Sequence, residues 1–241
     1  MATKIETENT DSTLTPLDTT GVERILCVGA HPDDLEYGIS AAVAAWTAAG
    51  ITVDYLLLTA GEAGMQRPPA EVGPLRAKEQ QRACDIVGVT ELRILDFPDG
   101  LMEYGIPVRK AIAEAIRELK PDWVVTSNFD LEAPWGINHV DHRVTGKATA
   151  DAVRDAGNKW LFDDLGAPHA ASKFLVGGVT DPTHYQDVAG EFFDKGVASL
   201  AAHKEYLADL PNHPSPQEVL GFATRPAGDS ECAMCFKVWD M

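Results

Sequence analysis

The sequence predicts an α/β fold, a Rossmann-like three-layer α/β/α arrangement around a mainly parallel sheet. Short apolar runs at 24–29, 52–58, 92–96, 122–127 and 172–177 alternate with helical patterns near 36–49, 71–87, 104–119 and 139–156. Strand, helix and strand repeated this way put helices on both faces of a parallel sheet. The chain has 241 residues, of which 45% are hydrophobic, so it can bury one full core without a domain boundary.

Arg24-Ile25-Leu26-Cys27-Val28 reads as a buried parallel strand, and Pro32 prevents the chain beyond it from continuing as strand. The stretch Gly29-Ala30-His31-Pro32-Asp33-Asp34-Leu35, with Glu36 next, therefore sits at a strand's carboxyl end, the edge where open α/β sheets gather ligands. His31 and Asp34 are three apart, so one imidazole nitrogen and one carboxylate can face a divalent ion while Asp33 stays free to handle a proton. The competing reading is that Asp33 or Asp34 caps the helix beginning near Leu35.

After the second strand, Gly61-Glu62 and Gly64 mark a turn bordering the pocket. A phosphate-cradling loop is disfavoured, since the chain has neither G-x-G-x-x-G nor a P-loop lysine. The next helix carries Arg76, and the third strand leads to Asp99. The fourth strand leads through Pro134-Trp135-Gly136 to a helix opened by Asn138-His139-Val140-Asp141-His142, in which His139 and His142 share a face. A catalytic zinc site needs three His, Asp or Glu ligands and one open position for water, and His31, Asp34 and His142 supply that set. His139 and Asp141 are then left as a supporting or acid–base pair.

Further on, a helix is expected from about Glu191 to Leu210, with Phe192, Phe193, Val197 and Leu200 as its apolar positions and His203 near its end. Pro211 to Pro216 is a loop that either covers the pocket or serves as a connector. His169, His184 and His213 have no ligand spacing and read as surface residues. Cys27 and Cys84 lie in apolar segments as core residues. Cys232 and Cys235 fall on a strand, where positions three apart face opposite sides, which disfavours a shared metal. Trp135 and Trp160 are candidates for stacking on a sugar, or for packing.

The first twenty residues, with seven threonines and few large apolar groups, read as a flexible tail (1–20) ahead of a single domain (21–241). They lack the basic start and apolar core of a leader, and no run approaches the ~20 apolar residues of a membrane span, so the expected compartment is the cytoplasm. A net charge of −17 argues against nucleic-acid or anionic-membrane binding, because phosphate groups would be repelled. A small-molecule substrate is the expected partner, and a homo-oligomer is compatible with the sequence.

On these motifs the chain resembles the PIG-L or LmbE-like family of zinc-dependent N-deacetylases. The resemblance rests on Ala-His-Pro-Asp-Asp-x-Glu at Ala30 to Glu36 with Gly38 following, and on His-x-Asp-His at His139 to His142. Arg76, Glu79, Ala83 and Gly88 add an Arg-x-x-Glu helix leading to a glycine, and Phe97-Pro98-Asp99-Gly100 follows the third strand. Together the matches span roughly residues 23 to 207. The resemblance implies zinc (Zn2+) on His31, Asp34 and His142, and Asp33 as the general base toward zinc-activated water. It further implies that His139, made cationic by Asp141, stabilises the oxyanion or protonates the leaving amine. Asp141 would orient His139, and Arg76 and Asp99 would line the substrate pocket. The implied reaction removes an N-acetyl or other N-acyl group from an amino sugar or its conjugate, N-acetylglucosamine being the type. Two departures bear on the substrate: Trp135-Gly136 stands where some members place a tyrosine, and His203 is followed by Lys204-Glu205 rather than Ser-Gln. The alternatives are a metal-dependent hydrolase of another bond, such as a phosphoester, and a non-catalytic α/β binding domain.

Overall fold

The computed structural model describes residues 14–133 and 136–241. Trp135, and residues 1–13 of the expected tail, lie outside the described residues. The expected alternation is present: β2 (Arg24–Gly29) follows the short β1 (Thr15–Pro16), then α1 (Asp34–Gly38), α2 (Ser40–Ala48), β3 (Thr52–Leu57), α3 (Pro69–Val87), β4 (Glu91–Ile94) and α4 (Ile106–Leu119). Next come β5 (Trp123–Ser127), a small pair β6 (Glu132–Ala133) and β7 (Gly136–Ile137), α5 (Val140–Gly157) and β8 (Lys173–Gly177). The chain closes with β9 (His184–Asp187), α6 (Glu191–Ala201), α7 (Lys204–Asp209), α8 (Pro216–Ala223), β10 (Thr224–Ala227) and β11 (Ser230–Asp240).

The main sheet runs β1-β9-β11-β8-β5-β2-β3-β4, with β10 paired to β11. Its centre, from β4 through β3, β2 and β5 to β8, is parallel throughout. The chain first builds outward from β2 to β3 and β4, then returns to lay β5 on the other side of β2. Connections leaving β2 and β5 therefore diverge, which opens a crevice at their carboxyl ends.

Both faces of the central strands are buried, with the period of two that a pleated strand imposes. Ile25, Cys27, Val53, Tyr55 and Trp123 pack against Trp46 of α2, Cys84 of α3, Leu200 of α6 and Leu220 of α8. Leu26, Val28, Leu56, Val124 and Phe174 pack on the opposite face against Ile112 and Ile116 of α4 and Ala148 and Ala152 of α5. The α2–α6 crossing is close because both helices offer small residues there; a Cβ on Gly196 would stand 2.9 Å from that of Ala41.

Three features differ from the expectation. Thr15 and Pro16 are not tail but an edge strand, parallel to His184 and Tyr185. The helix expected from Glu191 to Leu210 breaks at Ala202 and His203, and His203, fully buried, precedes α7. Beyond β8 the sheet turns antiparallel, β11 pairing with both β8 and β9. Among the described residues no helix is long and apolar enough to cross a membrane.

Candidate active site

Where β2 ends, the backbone N–H groups of Ala30 and His31 both donate to Asp34 Oδ2, at 2.8 and 2.9 Å. That oxygen secures the turn. The other, Oδ1, faces His31 Nδ1 at 3.5 Å and His142 Nε2 at 3.1 Å. The two readings of this acidic turn are thus divided between the two oxygens of one carboxylate, one tying down backbone and one meeting imidazoles.

The outer nitrogens of both imidazoles are taken. His31 Nε2 lies 3.0 Å from Asp141 Oδ2 and 3.0 Å from Asp99 Oδ1. Carboxylates only accept here, so Nε2 carries a hydrogen, and in the neutral ring the Nδ1 lone pair points inward. His142 Nδ1 lies 2.9 Å from Asn138 Oδ1, and the Asn138 amide is oriented by donating from Nδ2 to the Asn128 carbonyl at 2.8 Å. His142 Nε2 is therefore the free lone pair. With both rings neutral, two imidazole acceptors and one carboxylate oxygen face one another with no hydrogen-bond donor between them, an arrangement that either a proton on the rings or a bound cation satisfies. The buried charges favour positive charge beside Asp34. Burial opposes ionisation of all three groups, yet attraction between Asp34 and the two imidazoles keeps Asp34 well below the usual carboxylate range and raises His31 and His142. Two nitrogens and one carboxylate oxygen suit zinc or a similar divalent ion.

The outer partners lead to a prediction. Asn138→Ala leaves all the inward-facing atoms in place but frees the His142 ring, so metal affinity should fall by about 10–100-fold. A competition titration against a chromophoric chelator measures it.

Asp33 takes no part in that cluster. Its backbone is left-handed, φ 94°, which costs a non-glycine residue roughly 1–3 kcal/mol. Its Oδ1 lies 3.1 Å from Arg76 Nη2. Burial makes it a weaker acid, Arg76 offsets part of that, and the result is a carboxyl pushed up to about 6. Arg76 also donates to the Pro32 carbonyl at 2.5 Å and to the Gly61 carbonyl at 2.9 Å, with Tyr206 stacked on its guanidinium at 3.9 Å. The Gly61 turn is thus a cradle for Arg76: a Cβ there would stand 2.1 Å from Arg76 Nη1, and the φ of +62° favours glycine.

One expected contact is corrected. The Asp141 carboxylate meets His31 and the N–H groups of Gly100 and Met102, not His139. His139 is reached by the Asp141 backbone, whose N–H donates to His139 Nδ1 at 3.3 Å. Partial burial and the neighbouring His31 disfavour charge by more than Asp141, not bonded to the ring through its carboxylate, favours it, so His139 sits below its ordinary range instead of being held cationic. The ring nitrogens of His31, His139 and His142 lie within 4.8 Å of one another, so His139 borders the same centre. Asp99 lines the cleft, but its firm contacts are His31 and the Ala63 N–H at 2.7 Å.

These groups form the floor of a cleft of about 870 Å³. Its outer wall was not legible in the sequence: Val219, Phe222, Ala223 and Arg225 come from α8 and β10, and Val179 from the loop after β8. His213, expected at the surface, bonds Tyr37 Oη at 2.6 Å and brings the 211–216 loop to the cleft. His203 faces Glu36 beneath the floor, at 3.7 Å, and does not line the cleft. Trp160 is 79% exposed and lies apart from it. Cys235 borders the cleft while Cys232 packs against the core, the opposite-face arrangement that a strand dictates.

Residues 26–153, just over half of the chain, match the PIG-L family of GlcNAc-PI de-N-acetylases. The chain belongs to the PIG-L family. As a PIG-L protein it is an N-deacetylase, and the matched span carries every floor residue from His31 to His142 while leaving out the wall built by α8. A probable N-acetyl-α-D-glucosaminyl L-malate deacetylase 2 of Bacillus anthracis is 29% identical over 192 residues, 76% of this chain and 81% of the relative. The diacetylchitobiose deacetylase of Thermococcus kodakarensis is 36% identical over 141 residues, which is 56% of this chain and 51% of that protein. Among solved structures, the N,N'-diacetylchitobiose deacetylase from Pyrococcus horikoshii complexed with its inhibitor MPG superposes with a TM-score of 0.79. It covers 92% of this chain and 85% of that one at 20% identity, a likeness of fold.

Proposed function

We propose that this PIG-L deacetylase removes the N-acetyl group from an N-acetylglucosamine-type conjugate, with zinc held by His31, Asp34 and His142. The observation that carries the proposal is the approach of His31 Nδ1 and His142 Nε2 to one oxygen of Asp34, with a second carboxylate, that of Asp33, beside them and paired with Arg76. Zinc bound by these ligands would supply an acidified water and polarisation of the acyl carbonyl. Amide hydrolysis also needs a base, an oxyanion partner and a proton for the leaving nitrogen, and the protein supplies these. Asp33 takes the proton of the attacking water, its own charge supported by Arg76. His139 accepts at Nδ1 from the Asp141 N–H, so its hydrogen is on Nε2, where a neutral ring donates to the oxyanion. Asp33 then returns its proton to the amine nitrogen, and acetate and the free amine leave. The amino-sugar substrate is supported by the relatives named above, and the apolar wall around Phe222 suits the part of the conjugate beyond the sugar. We assign the protein to the cytoplasm, where its four unpaired cysteines would stay reduced.

The test is acetate release by metal-loaded protein from a panel of N-acetylglucosamine conjugates. Metal-loaded protein that releases acetate from none of them would exclude this substrate class. A pH profile tests the base. Asp33 works only when ionised, and its carboxyl titrates at about 6 before a bound cation, which favours the charged form, lowers it further. Log kcat/KM should climb with unit slope below a midpoint no higher than about 6 and then level off. A limb centred above pH 7 would assign the base to another group.

A further inference from the structure

We propose that Glu36 and Gln80 are positioning residues for Asp33, fixing the left-handed turn that aims its carboxylate into the cleft. The proposal rests on Asp33 acting as the base. Asp33 is held in its unusual conformation by more than its side chain: its backbone N–H donates to Gln80 Oε1 at 2.8 Å. An N–H can only donate, so the Gln80 amide must present its oxygen to Asp33 and its nitrogen to the other side. On that other side stands Glu36 Oε1, 3.0 Å from Gln80 Nε2. Glu36 therefore sets which way the Gln80 amide points. A flipped amide would set its NH2 against the Asp33 N–H, two donors with no acceptor, and release the turn.

Glu36 and Gln80 are both fully buried, on the side of the turn away from the cleft. Packing alone would be served by apolar residues of the same shape, since buried polar groups cost free energy unless bonded. Their polarity serves a bond, and the chain of bonds ends on the Asp33 backbone. The remaining oxygen, Glu36 Oε2, faces His203 Nε2 at 3.7 Å and has no hydrogen bond among the described residues, so the firm link from Glu36 runs to Gln80.

A reciprocal exchange tests this. Gln80→Leu removes both bonds. Gln80→Glu keeps the acceptor for Asp33 but opposes two carboxylates. The double variant Glu36→Gln, Gln80→Glu restores donor and acceptor with the roles swapped and the total charge unchanged. Both Gln80 single variants should lower kcat by about tenfold or more, as displacement of a reacting group does, with KM and metal content near wild type. The double variant should recover to within about threefold of wild type. Wild-type kcat in Gln80→Leu, loss of metal along with kcat, or a double variant no better than Gln80→Glu would each overturn the proposal. Should Asp33→Asn itself turn over normally, the base assignment fails instead, which separates the two readings.

Discussion

Asp33→Asn should lower kcat by about 10²–10⁴-fold, the usual worth of a positioned general base, while leaving bound metal at the wild-type level. The substitution keeps the shape of the side chain and an oxygen for Arg76, so the turn survives and only the ability to take a proton is lost. A second consequence follows from burial. An acid whose folded-state value is raised binds its proton more tightly in the folded chain than in the unfolded one. Stability is then highest below the ordinary value of 3.8 and declines as pH rises through about 6. At neutral pH the ionised Asp33 costs on the order of 3 kcal/mol in the metal-free protein. Metal-free Asp33→Asn should therefore unfold at a higher temperature than metal-free wild type at pH 7.5, with the advantage shrinking toward pH 4. Wild-type turnover in this variant would remove Asp33 from the base role. Loss of metal would make it a ligand.

His142→Ala should release the metal, affinity falling by more than the roughly 100-fold that a lost outer partner costs, and activity should fall with it. The reason lies in the shared oxygen: Asp34 Oδ1 is flanked by His142 Nε2 at 3.1 Å and His31 Nδ1 at 3.5 Å. Removing one imidazole leaves a buried carboxylate and a single nitrogen, too few for a tight site. His139→Ala is the control, because its ring lies 5.5 Å from that of His142 and its nitrogen is close enough to be a rival ligand. If it acts on the oxyanion, His139→Ala keeps about one ion per chain and loses rate. Metal analysis of the purified variants, prepared without chelator, decides this, and release of metal by His139→Ala would redraw the ligand set.

The elements that carry the candidate site were readable in advance because each announces itself locally. A proline after an apolar run ends β2 where His31, Asp33 and Asp34 begin, and a three-residue spacing puts His139 and His142 on one face of α5. What could not be read were the partners of those groups. His31 and Asp141 are 110 residues apart, and nothing in the spacing of His139 and Asp141 says that one carboxylate crosses to a different strand end. The result reverses the expected charge on His139. The same holds for Gln80, which looks like an ordinary helix residue until α3 lays it beneath the Asp33 turn.

The sequence alone determined the strand and helix alternation from β2 to β8, the sheet edge at which the chemistry gathers, and the residues of the acidic turn and the histidine pair. These follow from local preferences, which act between neighbours along the chain. Tertiary structure alone decided the antiparallel end of the sheet, the cleft wall supplied by α8 and β10, and the pairing of each imidazole with its carboxylate or amide. Those depend on where elements distant in sequence cross, and hydrogen-bond partners selected by such crossings leave no periodic trace in the chain.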